Sequence, residues 1–165
     1  MIKNKSFAVL MIISIVTLIS LSSCDPTKKL KEDEAAQISS FLIRNDSLDF
    51  ELKSSGLYYV DIVEGTGRQA ITHDTAYVKN TGLFLNGEIF DSNMETTDTL
   101  IIPVNEGWLI AGFDEGMTYM KEGGKAFFLI PSKLGYGSQG WYAIPGYCPI
   151  LYEVEMLIVK PGPGK

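Results

Sequence analysis

The chain has 165 residues, 45% of them hydrophobic, with a formal net charge of −6, two cysteines and one histidine. An acidic chain without a basic cluster argues against a nucleic-acid partner. The lone histidine, His73, lies beside Asp74 in a polar turn and leaves no set for an ordinary zinc site or a Ser-His-Asp triad, so neither a metal nor a cofactor is expected.

In chain order, Lys3 and Lys5 come first, and an apolar run from Phe7 to Leu21 follows, interrupted by Ser14, Thr17 and Ser20. A basic start, a short apolar stretch and small residues describe an export leader. The run is short for a bilayer span. Leu21-Ser22-Ser23 directly precede Cys24, which resembles a bacterial lipobox. Residues 1–23 are therefore expected to be a lipoprotein signal, with Cys24 lipidated and the rest facing outside the cytoplasm in the cell envelope. Cys148 would then be the one remaining thiol, without an internal disulfide partner and suited to a small core position.

Asp25 to about Lys31 is polar and reads as a tether. Glu32 to Arg44 reads as a helix, because acidic residues crowd its expected first turn and Ile38, Phe41 and Leu42 fall on one face. That face could dock on the domain or pair with another copy. Lys31-Glu32-Asp33-Glu34 is expected to be solvated surface. From Leu57 the pattern turns to strands: 57–63 is aromatic and β-branched, and 75–85, 100–104, 125–130 and 150–159 are the further strand regions. Asn86-Gly87 signals a hairpin, and Glu64-Gly65-Thr66-Gly67 a turn, without the lysine and spacing of a phosphate loop. Ile110 to about Tyr119 is the best candidate for a short helix. Its Gly112 and Gly116 cost about 1 kcal/mol each relative to alanine, which points to close packing or to a helix held mainly by tertiary contacts. Strands around one helix imply α+β with an antiparallel sheet. The expected organisation is a signal over 1–23, a lipid-anchored tether with a short helix over 24–55, the folded domain over 56–160, and a tail over 161–165.

The second half carries an ordered series of small motifs. Thr81-Gly82 and Phe90-Asp91-Ser92 precede Ala111-Gly112-Phe113-Asp114-Glu115-Gly116-Met117. Lys121-Glu122-Gly123-Gly124-Lys125, Phe128-Leu129-Ile130-Pro131, Leu134-Gly135-Tyr136-Gly137 and Ile144-Pro145-Gly146 follow. This order and spacing, over roughly 56–160, resembles the FKBP-type peptidyl-prolyl cis-trans isomerases. The resemblance implies a twisted antiparallel sheet curved around one short helix, with a shallow apolar pocket between them. Carried over by motif, Phe90, Asp91, Ile110, Phe113 and Tyr136 are the expected catalytic residues. Phe113 would be the floor, and the Ile110 N–H would receive a substrate carbonyl. Asn80, Leu100, Leu109, Ile144 and Tyr152 are the expected substrate-binding residues. The implied activity is rotation of X-Pro bonds in unfolded or exported protein segments.

Three departures stand out. Asn80 occupies the place before Thr81-Gly82 where the family usually has a tyrosine, which removes a pocket wall and puts an amide there. Phe113 stands where tryptophan is frequent. Gly140 to Pro149 is about one residue short, with Gly146 in place of a second proline and with Trp141 and Tyr142 available as an aromatic surface for clients. Asn80 favours a non-catalytic binding or chaperone module as the alternative. A third reading is a structural part of an envelope complex, docked through Phe41 and Leu42.

Overall fold

The structure, a computed structural model, describes residues 26–163. The expected leader and Cys24 lie outside the described residues. From Asp33 onward the described chain forms one compact unit.

The strands follow from alternation, because successive side chains of a strand point to opposite faces. In β6 (Lys125–Ile130), Ala126, Phe128 and Ile130 belong to one core, and Phe127 and Leu129 to another. In β7 (Ile150–Lys160), Ile150, Tyr152, Val154 and Met156 share the first core, and Leu151 joins the second. Both faces are apolar, so both need cover. The described strands form one seven-stranded sheet in the order β1-β2-β6-β7-β3-β4, antiparallel at every pairing. Here β1 is Glu51–Leu52, β2 Tyr58–Val63, β3 Thr75–Phe84 and β4 Ile89–Ser92. The strand β5 (Leu100–Pro103) pairs with the first half of β3, and β4 with its second half. Asn86-Gly87 makes the β3–β4 turn, with Gly87 at φ 91° and its N–H on the Phe84 carbonyl at 2.9 Å.

The helix α2 (Ala111–Tyr119) covers the first face through Phe113 and Met117. A side chain at Gly112 would come within 2.6 Å of Ile130 Cγ2, and one at Gly116 within 2.7 Å of Phe128 Cδ2. The glycines let α2 approach β6 more closely than any side chain allows, and this contact outweighs their poor helix propensity.

The helix α1 (Pro26–Arg44) corrects the expected boundary. The stretch expected as a tether is its first turns, and no acidic residue lies in its first turn. Proline is compatible with a first helical turn, where its missing N–H has no partner to lose. The question about its apolar face is also answered. Ile38 and Phe41 are buried against Leu129 and Leu151 on the second face of the sheet. Glu34 fixes this docking by accepting hydrogen bonds from the Ser132 N–H (2.6 Å) and hydroxyl (2.9 Å).

Candidate active site

An aromatic-walled cavity of about 380 Å³ opens where β4 and β7 meet the chain after β6. Phe90 and Asp91 reach it from β4 and Tyr152 from β7, while Tyr136, Trp141, Tyr142, Ala143 and Ile144 come from the long connection between β6 and β7. Phe90 and Tyr152 stand edge to face, with centroids 5.7 Å apart and planes at 89°. Behind Tyr152 lies Phe113 at 5.0 Å and 85°, itself edge to face with Phe128 at 5.7 Å. This chain of perpendicular rings gives the sheet wall a fixed shape. It also explains the glycine of Thr81-Gly82. A side chain there would meet Phe90 Cε2 at 2.5 Å and Tyr152 Cε1 at 3.0 Å.

The polar groups are few. Asp91 is the one charged residue among those lining the cavity, and it is exposed. Asn80 is buried and donates from Nδ2 to Asp91 Oδ2 at 3.2 Å. Its backbone is fixed from the other side: its N–H donates to Asn93 Oδ1 (2.7 Å), and its carbonyl accepts the Asn93 N–H (3.1 Å). Asn80 therefore holds the carboxylate instead of forming a wall. Burial pushes the Tyr152 hydroxyl far above the usual tyrosine range, and hydrogen bonding with Tyr136 and the Asp91 charge push the same way. Tyr152 thus stays protonated at neutral pH, and the cavity is apolar with one rim carboxylate.

Five of the ten residues expected at the site line this cavity: Phe90, Asp91, Tyr136, Ile144 and Tyr152. Phe113 is 2% exposed and lies beneath Tyr152 without lining the opening. Leu100, Leu109 and Ile110 are half-buried and packed on the main core, outside the lining of the cavity. Ile110 precedes α2, and its carbonyl accepts the N–H groups of Phe113 (3.0 Å) and Asp114 (3.1 Å). Its own N–H has no protein acceptor among the described residues.

The part of the wall that motif order did not supply is Trp141, Tyr142 and Ala143, in the turn that leads to Ile144. The backbones of Trp141 and Ile144 exchange two hydrogen bonds, 2.9 and 2.8 Å, around Tyr142 and Ala143. Tyr142 takes φ 46° and is 94% exposed, and Ile144 is turned inward to 6%. Trp141 packs edge to face on Tyr142 at 5.0 Å. The exposed aromatic pair was legible in the sequence; its place on the cavity depends on the left-handed backbone at Tyr142.

A second polar feature lies under the segment that leads to Ile110. Asp114 is buried. Its Oδ2 accepts the Gly107 N–H at 2.7 Å, and its Oδ1 has no partner among the described residues. Burial pushes this carboxyl above the usual range, against the Gly107 hydrogen bond and with help from the Glu106 charge.

A family model described as FKBP-type peptidyl-prolyl cis-trans isomerase matches residues 66–157, which include every lining residue of the cavity. A protein of Neisseria meningitidis serogroup B named FK506-binding protein is 41% identical over 105 residues, 63% of this chain and 96% of that one. FkpA of Escherichia coli K12, named an FKBP-type peptidyl-prolyl cis-trans isomerase, is 34% identical over 110 residues, 67% of this chain and 40% of that one. The crystal structure of FkpA from Escherichia coli superposes with a TM-score of 0.68 at 25% identity, covering 98% of this chain and 75% of that one.

Proposed function

The chain belongs to the FKBP-type peptidyl-prolyl cis-trans isomerase family, and we propose that the cavity bounded by Phe90, Asp91, Tyr136, Ile144 and Tyr152 is where it rotates X-Pro bonds. The observation that carries this reading is an apolar aromatic cavity with one carboxylate at its rim, held by a buried amide. Rotation about an amide must break a resonance worth about 18–20 kcal/mol, and the uncatalysed step takes roughly 10–100 s. No bond forms and no proton moves. The twisted amide has less charge separation than the planar one, so an apolar enclosure disfavours the ground state more than the transition state. Phe90 and Tyr152 grip the flat ring of proline. Asp91 as acceptor and the Tyr136 hydroxyl as donor hold the flanking peptide groups in a twisted pose, and the free Ile110 N–H, outside the cavity lining, is open to a carbonyl of the substrate chain beyond it. Asn80 is the feature that favoured a purely binding module, yet its amide holds Asp91 in place, which supports catalysis instead.

The test is a prolyl isomerisation assay on the chain from Asp25 onward, which keeps the whole compact unit, with peptides that vary the residue before proline. Acceleration that drops about tenfold in Asp91→Ala, equal to ~1.4 kcal/mol of transition-state stabilisation, is expected. An inactive parent would sink the reading.

The segment before Pro26 supports a second part of the proposal. The protein is exported, processed before Cys24 and anchored by lipid, so that its clients are proline-containing segments of exported proteins in the cell envelope. Its support is the basic, apolar and small-residue order of 1–24. Mass spectrometry of the membrane fraction should find acyl chains on an N-terminal Cys24 peptide, and Cys24→Ser should release the protein. An unmodified full-length N-terminus would refute the anchor.

A further inference from the structure

A larger groove, about 740 Å³, lies beside the cavity. Its walls are α1 (Ala36, Ser40, Arg44), the end of β3 and its turn (Phe84, Leu85), and the connection before β7 (Ala143, Pro149). Two observations join it to the cavity. Ala143 lines both. Phe84 in the groove also packs on Phe90 in the cavity, with centroids 5.1 Å apart.

We propose that this groove binds the polypeptide flanking the proline: an extended, unfolded client segment that leaves the cavity past Ala143 and runs between α1 and the β3–β4 turn. This rests on the isomerase reading above and extends it to the substrate's length. A proline in the cavity carries chain on both sides, and one side must leave past whatever borders the opening. The groove chemistry suits a segment of mixed composition. Phe84, Pro145 and Pro149 are apolar. Gln37 and Ser40 make no side-chain hydrogen bond to protein among the described residues, so both can pair with a peptide backbone. Arg44 and Glu88 carry opposite charges, so neither an acidic nor a basic segment is selected. Arg44 is oriented across the groove by donating to the Leu85 carbonyl at 3.5 Å.

The test compares two peptides sharing one central Ala-Pro bond on the chain from Asp25 onward. One is a short core, and the other is an unstructured segment of roughly fifteen residues, which extends ~50 Å at about 3.3 Å per residue. Ser40→Trp and Ala36→Arg fill the groove from exposed positions of α1, and they back each other up if one fails to fold. The parent should turn over the long peptide with a kcat/KM at least about tenfold above the short one, and either variant should remove that advantage. Anisotropy of the labelled long peptide should show the same loss of affinity. Equal long-to-short ratios in parent and variants, with short-peptide turnover intact, would overturn the groove alone. A parent inactive on both peptides would overturn the isomerase reading, and anisotropy would still decide the groove. A parent dimer that Ser40→Trp dissociates, seen by sedimentation, would make a second copy the occupant and also overturn the proposal.

Discussion

The two walls of the cavity are built differently. Phe90 and Tyr152 sit on paired strands, backed by Phe113 and Phe128, so their rings are fixed by the core itself. Trp141 and Tyr142 sit on a turn held by the Trp141–Ile144 backbone pair and by the Gly140 N–H on the Tyr136 carbonyl at 3.1 Å, with both rings largely in solvent. One wall contributes stability and shape together. The other contributes contact area with little effect on stability. Substitutions in the first should therefore move stability and turnover together, and those in the second should move turnover alone.

The largest expected effect is at the back of the sheet wall. Phe113→Ala removes a ring that touches both Tyr152 and Phe128, and should cost about 3–5 kcal/mol in denaturant unfolding while lowering kcat/KM. Full activity in a destabilised Phe113→Ala protein would break the link between core and wall. Next is Gly82→Ala, whose methyl group would collide with Phe90 and Tyr152. Overpacking of this kind should cost about 1–3 kcal/mol, and the displaced Phe90 should slow turnover more than that loss of stability alone would.

A pH experiment sharpens the same contrast. The raised Tyr152 group keeps its proton in the folded chain where an unfolded tyrosine, with a pKa of about 10, loses it. Stability linked to Tyr152 is therefore fully present below about pH 10 and falls as pH rises beyond it, because there the folded state binds the extra proton. Ultraviolet titration should show Tyr152, together with the Tyr59 that burial and Asp61 hold protonated, ionising only with unfolding, and Tyr152→Phe should reduce that signal by one tyrosine. A Tyr152 that ionises in the folded chain would show that the wall is wet.

Much of this was legible in the sequence, for physical reasons that differ by element. Strands β2, β3, β6 and β7 were readable because each is a short run of apolar, β-branched and aromatic residues. The first turns of α1 were not, because Thr27 to Lys31 offers a single apolar residue, the exposed Leu30, and so no apolar face to read. Strand β1 is two residues long and has no period to read. At the site, motif order supplied Phe90, Asp91, Tyr136, Ile144 and Tyr152. The role of Asn80 needed the register of β3 against β4, which places its amide on the Asp91 carboxylate. Leu100, Leu109 and Ile110 were expected at the wall, but a motif gives no path for the connection that brings Trp141 to Ala143 across the opening. The reach of Glu34 to Ser132, 98 residues away, likewise has no local signal.

The smallest expected effect tests the turn wall by itself. Tyr142 holds a left-handed backbone at φ 46°, a region where glycine has no steric cost and tyrosine does. Its side chain is 94% exposed and contributes almost no buried area. Tyr142→Gly should therefore leave stability within about 1 kcal/mol of the parent, relief of backbone strain offsetting the extra freedom glycine gives the unfolded chain. If the ring grips clients, the same substitution raises KM a few-fold with kcat kept, since contact area lost equally from ground and transition states changes binding alone. A fall in kcat would place Tyr142 with the sheet wall and remove the distinction between the two halves. An unchanged KM would leave Trp141 as the aromatic of that turn still able to meet substrate.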